Sequence, residues 1–311
     1  MAISAAGYRR ALSQWRRRHW SYRPAEVRVA VFCLSITFVG ILFFSVIPVL
    51  ASIYLGFTDF NPLRDSRPYW TGLDNYERLL NDSRFIKSIG NTVYYYVFAA
   101  PLTLGLGLIA ALAFNRQIRG MAFFRITYYT PTLASMVAVS LFWLWIFNPD
   151  YGLLNAFIGV FGFGPVRWLL TPESAMPSII ILSVWKGAGF AMIIFLAGLQ
   201  TIPQHLYESS EIDGANRWQR FIHVTWPLLR PTTAFLFITF TLGAFQVFEQ
   251  VFVLTRGGPA EATTTIVHQI YARAFSYLMM GYASSQATLL LLALLVITII
   301  NMRLLVRDIE Y

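Results

Sequence analysis

Two carboxylates, Glu208 and Glu211, stand three residues apart in the stretch ESSEIDGANRWQRFIHVTWPLLRP, with Asp213 just beyond them and three arginines downstream. An acidic trio of this kind is what an enzyme acting on lipid-linked sugars at a membrane face would need. Two further ionisable residues, Lys186 and Glu249, lie well inside apolar runs. Charges there are costly and face a cavity or a partner. The remaining reactive side chains point to no catalysis. His19, His205, His223 and His268 are scattered without ligand spacing, and no Ser/His/Asp set, Walker lysine or zinc motif occurs. Cys33 is the only cysteine, which excludes a disulfide and a thiolate metal site. The LGLGL run around Gly105 and Gly107 has no preceding strand, so it reads as close helix packing rather than a nucleotide loop. The chain is therefore expected to be no enzyme, with no metal or cofactor of its own.

The elements that carry these residues are membrane helices. Of 311 residues, 57% are hydrophobic and 13% charged, the balance of an all-α integral membrane protein. Six runs are long enough to cross a bilayer, which takes roughly 20 helical residues. They fall near 30–55, 88–114, 123–147, 177–199, 232–255 and 284–305. The first is too long for a signal-peptide core and reads as a retained span. With the N-terminus inside, fifteen cations lie on inner segments and eight on outer loops, so both termini are expected in the cytoplasm. The net charge of +9 follows loops rather than forming an aromatic-interleaved stripe, which argues against nucleic acid. The basic segment 1–28, with Trp15 and Trp20, reads as a juxtamembrane contact to anionic lipid. The six spans, 29–311, form one membrane domain. Asn91 with Tyr94–Tyr96, and Trp143 with Trp145, read as interfacial anchors at the outer ends.

The opening stretch then lies on the cytoplasmic side, within a loop of about 200–231. Pro203 suits a helix start, Asp213-Gly214 a stop, and Asn216 with Gln219 a capping-box restart. Pro227 and Pro231 break the second helix. Two short helices around a glycine corner result, with an apolar stripe of Trp218, Phe221 and Ile222. Two readings stay open on the residues alone: a solvated acidic face beside a basic one, or an elbow inserted into a cytoplasmic partner. Lys186 and Glu249 are likewise either structural or part of a pathway. In the second case Gln246, Glu249 and Gln250 would offer hydrogen bonds to sugar hydroxyls, with Trp185 or Phe248 against ring faces.

Glu208-Ser-Ser, three residues, Gly214, nine residues, then Val224-Thr-Trp-Pro227 resembles the Glu-Ala-Ala loop of bacterial ABC importer permeases. Ser209, Ser210, Val224 and Trp226 depart from the family pattern but keep size or apolar character. WKGAGFAMIIFLAGLQTIPQHLYESSEIDGA, FEQVFVLTRGGPAEATTT and TGLDNYERLL extend the resemblance to the carbohydrate permeases related to the maltose system's larger subunit. The resemblance implies a type I importer fold with a coupling helix between spans four and five. It implies a heterodimer with a second permease, two ATPase subunits that hold ATP and Mg, an extracytoplasmic sugar-binding protein and a location in the bacterial inner membrane. Glu208, Ser209, Ser210, Asp213, Gly214, Ala215, Phe221, Val224 and Pro227 would then couple to the ATPase. The rivals are an ion-driven secondary transporter and the lipid-linked-sugar enzyme. The first typically has inverted repeats and broken helices, and the sequence displays neither.

Overall fold

The computed structural model describes residues 24–116 and 118–305, with the backbone alone at 24–26 and 305. The basic segment up to residue 23, with Trp15, Trp20 and His19, lies outside the described residues. The chain is mostly helical, 76%, and divides into two units at Tyr54/Leu55.

The first unit is helix α1 (Pro24–Ile41), a π-helical turn (Leu42–Val46) and most of α2 (Ile47–Gly56). The π turn ends two residues before Pro48. A proline in a helix lacks an N–H and clashes with the carbonyl four residues back, and the wider turn relieves both. Its side chains, Cys33 among them, are largely apolar and exposed, as lipid-facing residues are.

The second unit opens with a small hairpin, β1 (Thr58–Asp59) antiparallel to β2 (Tyr69–Trp70), and α3 (Asp74–Asn81). Helix α4 (Ser83–Phe114) begins on Asp82, whose carboxylate accepts the N–H groups of Arg84 and Phe85. The same carboxylate pairs with Arg273 at 3.0 Å and accepts the Tyr282 hydroxyl at 2.7 Å. Burial pushes the Asp82 carboxyl up, but the Tyr282 hydroxyl, the two N–H groups and the Arg273 charge together hold it below its ordinary value. Next come α5 (Met121–Leu133), α6 (Met136–Ile146), α7 (Leu153–Val160) and α8 (Pro172–Thr201). Then follow α9 (Gln204–Ile212), α10 (Arg217–Arg220), a π turn (Phe221–Thr225), α11 (Trp226–Leu228) and α12 (Arg230–Phe245). The unit ends with α13 (Glu249–Leu254), α14 (Ile266–Tyr271), a π turn (Ala272–Ser276) and α15 (Met280–Leu305).

Long helices α4 and α8 form the centre, packed side by side and running the same way. A Cβ on Gly107 would run into Ala191, and one on Gly187 would lie 3.0 Å from Thr103, so small residues set the approach. Gly105 has open space around it, so only Gly107 of the pair is a contact glycine. One apolar core gathers Tyr95, Trp143, Phe147, Ile179, Leu182 and Val251; another gathers Ala191, Met192, Phe195, Leu199, Leu229 and Leu236. Tyr95 and Trp143 are thus core residues rather than interfacial anchors, while Tyr94 and Trp145 remain exposed.

Among the described residues, four helices are long and apolar enough to span alone, and two bent pairs, α5 with α6 and the 217–228 stretch with α12, raise the number to six. The third expected span, 123–147, is one of these pairs, α5 and α6, bent by 101°. The fifth, 232–255, stops at Phe245 and resumes at Glu249. Broken spans are therefore present, contrary to expectation. Non-helical backbone is tolerated at membrane depth only where protein satisfies it. Here Lys186 and Thr265 do so: the Lys186 ammonium donates to the Thr132 carbonyl at 3.2 Å and the Thr265 hydroxyl to the Val247 carbonyl at 2.9 Å.

Candidate functional site

The polar insert folds as two arms around Gly214. In the first arm, α9 closes with Gly214 N–H on the Glu211 carbonyl (3.0 Å) and Ala215 N–H on the Ser210 carbonyl (2.9 Å). This is a Schellman closure, which needs a left-handed residue at its corner, and Gly214 has φ +78°. The second arm starts with the capping box: Asn216 Oδ1 accepts Gln219 N–H at 2.9 Å and Gln219 Oε1 accepts Asn216 N–H at 2.8 Å. The π turn at 221–225 precedes Pro227, repeating the proline accommodation of the first unit.

Two contacts between the arms were not visible in the sequence. Glu211 pairs with Arg220, and the Tyr207 hydroxyl meets Thr225 Oγ1 at 3.1 Å. A groove of about 670 Å³ runs between the arms. Ser209, Ser210, Asp213, Gly214, Ala215, Val224 and Pro227 all line it, joined by Gln219, Arg220 and His223. Glu208 and Phe221 do not line it. Glu208 is exposed, with no hydrogen-bond or ion-pair partner among the described residues. Phe221 stacks on the exposed Trp218 at 5.6 Å between centroids. The elbow thus presents two carboxylates without a partner among the described residues, Glu208 outside the groove and Asp213 on its wall, with an aromatic ledge beside a preformed groove.

The residues expected along a pathway do not converge in the same way. Lys186 and Gln250 line a cavity of about 200 Å³ together with Tyr95, Thr103, Thr132, Ser183, Gly187 and Gly243. Gln250 donates to the Tyr95 hydroxyl (3.2 Å) and to Ser183 Oγ (3.3 Å). Lys186 forms no ion pair with Glu249 within 4 Å; its ammonium sits on Thr132, in the last turn of α5. A cation there also answers the negative end of the helix dipole. Glu249 is exposed but close enough to act on Lys186 through its charge. Gln246 is exposed in the break after α12. Phe248 packs away from the cavity on Phe252 and Tyr271, and half-exposed Trp185 packs on Trp143 at 5.4 Å. Tyr95, Ser183 and Thr132 were missed because single hydroxyls in apolar runs carry no spacing signal. No group of three metal-ligating side chains exists among the described residues.

Residues 103–311 match the model of the family described as "Binding-protein-dependent transport system inner membrane component". The chain belongs to this family. Among its relatives, the probable ABC transporter permease protein YesP of Bacillus subtilis is 37% identical over 267 residues, 84% of this chain and 85% of YesP. The trehalose/maltose transport system permease protein MalF of Thermococcus litoralis is 35% identical over 278 residues, 89% of this chain and 92% of MalF. A crystal structure of a bacterial ABC transporter involved in the import of the acidic polysaccharide alginate contains a similar chain. It matches with a TM-score of 0.78 at 25% identity, covering 94% of this chain and 97% of that one.

The permease is thus an inner-membrane transport component of ABC type, with the fold that the Glu208–Pro227 spacing implied. Its relatives are transport permeases, not enzymes. The broken spans do not make it a secondary transporter, because family membership overrides that distinction.

Proposed function

We propose that the permease forms half of the translocation pathway of an ATP-driven carbohydrate importer. It pairs with a second permease, two ATPase subunits that hold ATP and Mg, and an extracytoplasmic sugar-binding protein, with both termini in the cytoplasm. The elbow carries this reading: a rigid two-arm corner, with an unpaired carboxylate at Glu208 and a groove suited to receive a partner side chain. Glu208 meets a basic residue of the ATPase, and Gly214 and Ala215 allow close approach. Phe221, Val224 and Pro227 seat the second arm, while Ser209, Ser210 and Asp213 offer polar contacts in the groove. The relatives that handle trehalose/maltose and alginate support a carbohydrate cargo.

Sugar hydroxyls meet Gln250, Tyr95 and Ser183 at the interior cavity, with Gln246 and Glu249 at the neighbouring break and Trp185 as a ring-packing surface. Lys186 serves the frame there by holding Thr132. The test is Glu208→Lys: uptake should fall severely while the protein remains in the membrane and ATP hydrolysis by the co-purified ATPase persists. Unchanged uptake at normal membrane abundance would remove the coupling role.

A further inference from the structure

A second cavity, about 580 Å³, opens at the end of the bundle away from the elbow. The start of α4, the 256–265 loop, α14 and the following π turn enclose it. Three arginines, Arg84, Arg256 and Arg273, line it against one acid, Glu261. Arg84 is paired with Glu261 at 3.1 Å and Arg273 with Asp82 at 3.0 Å. Arg256 is exposed and has no partner among the described residues. His268 also lines the cavity and is only 9% exposed, yet its Nδ1 has no hydrogen-bond partner. Arg273 Nε is buried and equally unsatisfied. Leaving such a group unpaired incurs its full desolvation cost. Two of them on one basic cavity wall call for an acceptor that arrives with a ligand. Tyr271 and Tyr277 supply apolar ring faces beside them. Burial holds the His268 ring below the ordinary histidine range, so at neutral pH one ring nitrogen carries hydrogen and the other is free to accept.

We propose that this cavity binds the oxyanion of an acidic saccharide, with Arg256 and His268 taking the charged group and the tyrosines the sugar ring. The proposal rests on the carbohydrate reading above and narrows it to sugars bearing a carboxylate or phosphate. Arg256 supplies charge-assisted hydrogen bonds, which are about twice as strong as neutral ones.

The test is calorimetric titration of the complete transporter in nanodiscs, without ATP, using glucuronate, glucose 6-phosphate, glucose and inorganic phosphate. At least one acidic sugar should bind about tenfold or more tighter than glucose, and Arg256→Gln should remove about tenfold of that affinity. His268→Gln should weaken the same ligand while leaving glucose unchanged. Comparing the two acidic sugars identifies the carboxylate or phosphate source. Equal binding of glucose, binding of inorganic phosphate as tight as either acidic sugar, no binding of either acidic sugar, or full affinity in Arg256→Gln would each overturn the proposal. Such a failure leaves the Glu208→Lys uptake result untouched, so the two readings fail separately.

Discussion

Gly214 is the residue on which the elbow's geometry turns, and its cost of replacement can be worked out. Its φ of +78° lies in the left-handed region, and a Cβ there would find nothing within 4 Å. Substitution is therefore penalised by backbone conformation alone, not by collision. For an ordinary L-residue that penalty is about 1–2 kcal/mol, and asparagine avoids much of it. The capping box, the Glu211–Arg220 pair and the Tyr207–Thr225 contact all oppose opening of the corner. The full penalty is thus an upper bound on the shift, equivalent to about 5- to 30-fold in the population of the closed corner.

The assay is ATP-dependent uptake into proteoliposomes, normalised to permease content, for Gly214→Val, Gly214→Ala and Gly214→Asn. Uptake should fall in the order Asn, Ala, Val, with Asn within about threefold of the parent and Val lowest. Gly214→Asp shares the tolerance of asparagine, so any extra loss it suffers measures a charge brought into the proposed docking surface. Wild-type uptake in Gly214→Val, or equal damage from Asn and Val, would refute the left-handed corner as the working element.

Asp82→Asn keeps the helix cap but breaks a pair in which both side chains are only 13% exposed, so it should destabilise by about 3 kcal/mol in a thermal melt. Because the folded Asp82 pKa lies below its ordinary value of 3.8, its stabilisation is present above that pH and fades as pH falls through the folded value. An acid titration of melting temperature should reveal this loss in the parent and not in Asp82→Asn. Lys186→Met removes the charged donor from the Thr132 carbonyl and should cost about 1.5–3 kcal/mol of stability; an unshifted melt would deny the capping role. Gly107→Val drives a side chain into Ala191 between α4 and α8, and should lower membrane abundance through overpacking of about 1–3 kcal/mol or more. Normal abundance of that variant would mean the two helices can separate.

How much of this was legible in the sequence depends on how far apart the partners lie. The elbow is written locally: Gly214 closes a helix ten residues long or less, and Asn216 finds Gln219 three residues on. Such offsets are fixed by helix geometry, so residue type and spacing suffice. The interior cavity is written at long range. Gln250 reaches Tyr95 across 155 positions and Ser183 across 67. No periodicity reports such a meeting, and Tyr95 therefore passed for an interfacial anchor. Hydropathy also cannot tell lipid from protein as the apolar surrounding, which is why Trp143 was misread in the same way.

The two broken spans explain more than a missed boundary. Hydropathy is continuous through 123–147, and Pro131 signals at most a kink, because the group that makes a full break tolerable sits on another helix. Lys186 of α8 takes the Thr132 carbonyl, and Thr265 takes that of Val247 in the second break. Both breaks border one cavity: Thr132 and Met136 flank the first, while Gly243 and Gln250 flank the second. An intramembrane lysine without a close ion pair would ordinarily mark a substrate contact. Here its ammonium is already committed to backbone, and moving it to cargo would leave a carbonyl unpaired in a low-dielectric interior. On the proposed pathway, recognition at this depth would therefore fall to groups that can exchange partners at low cost, the Gln250 amide and the Tyr95 and Ser183 hydroxyls. Neutral hydrogen-bonding groups of that kind release a sugar as readily as they take it, which is what a pathway, unlike a binding protein, has to do.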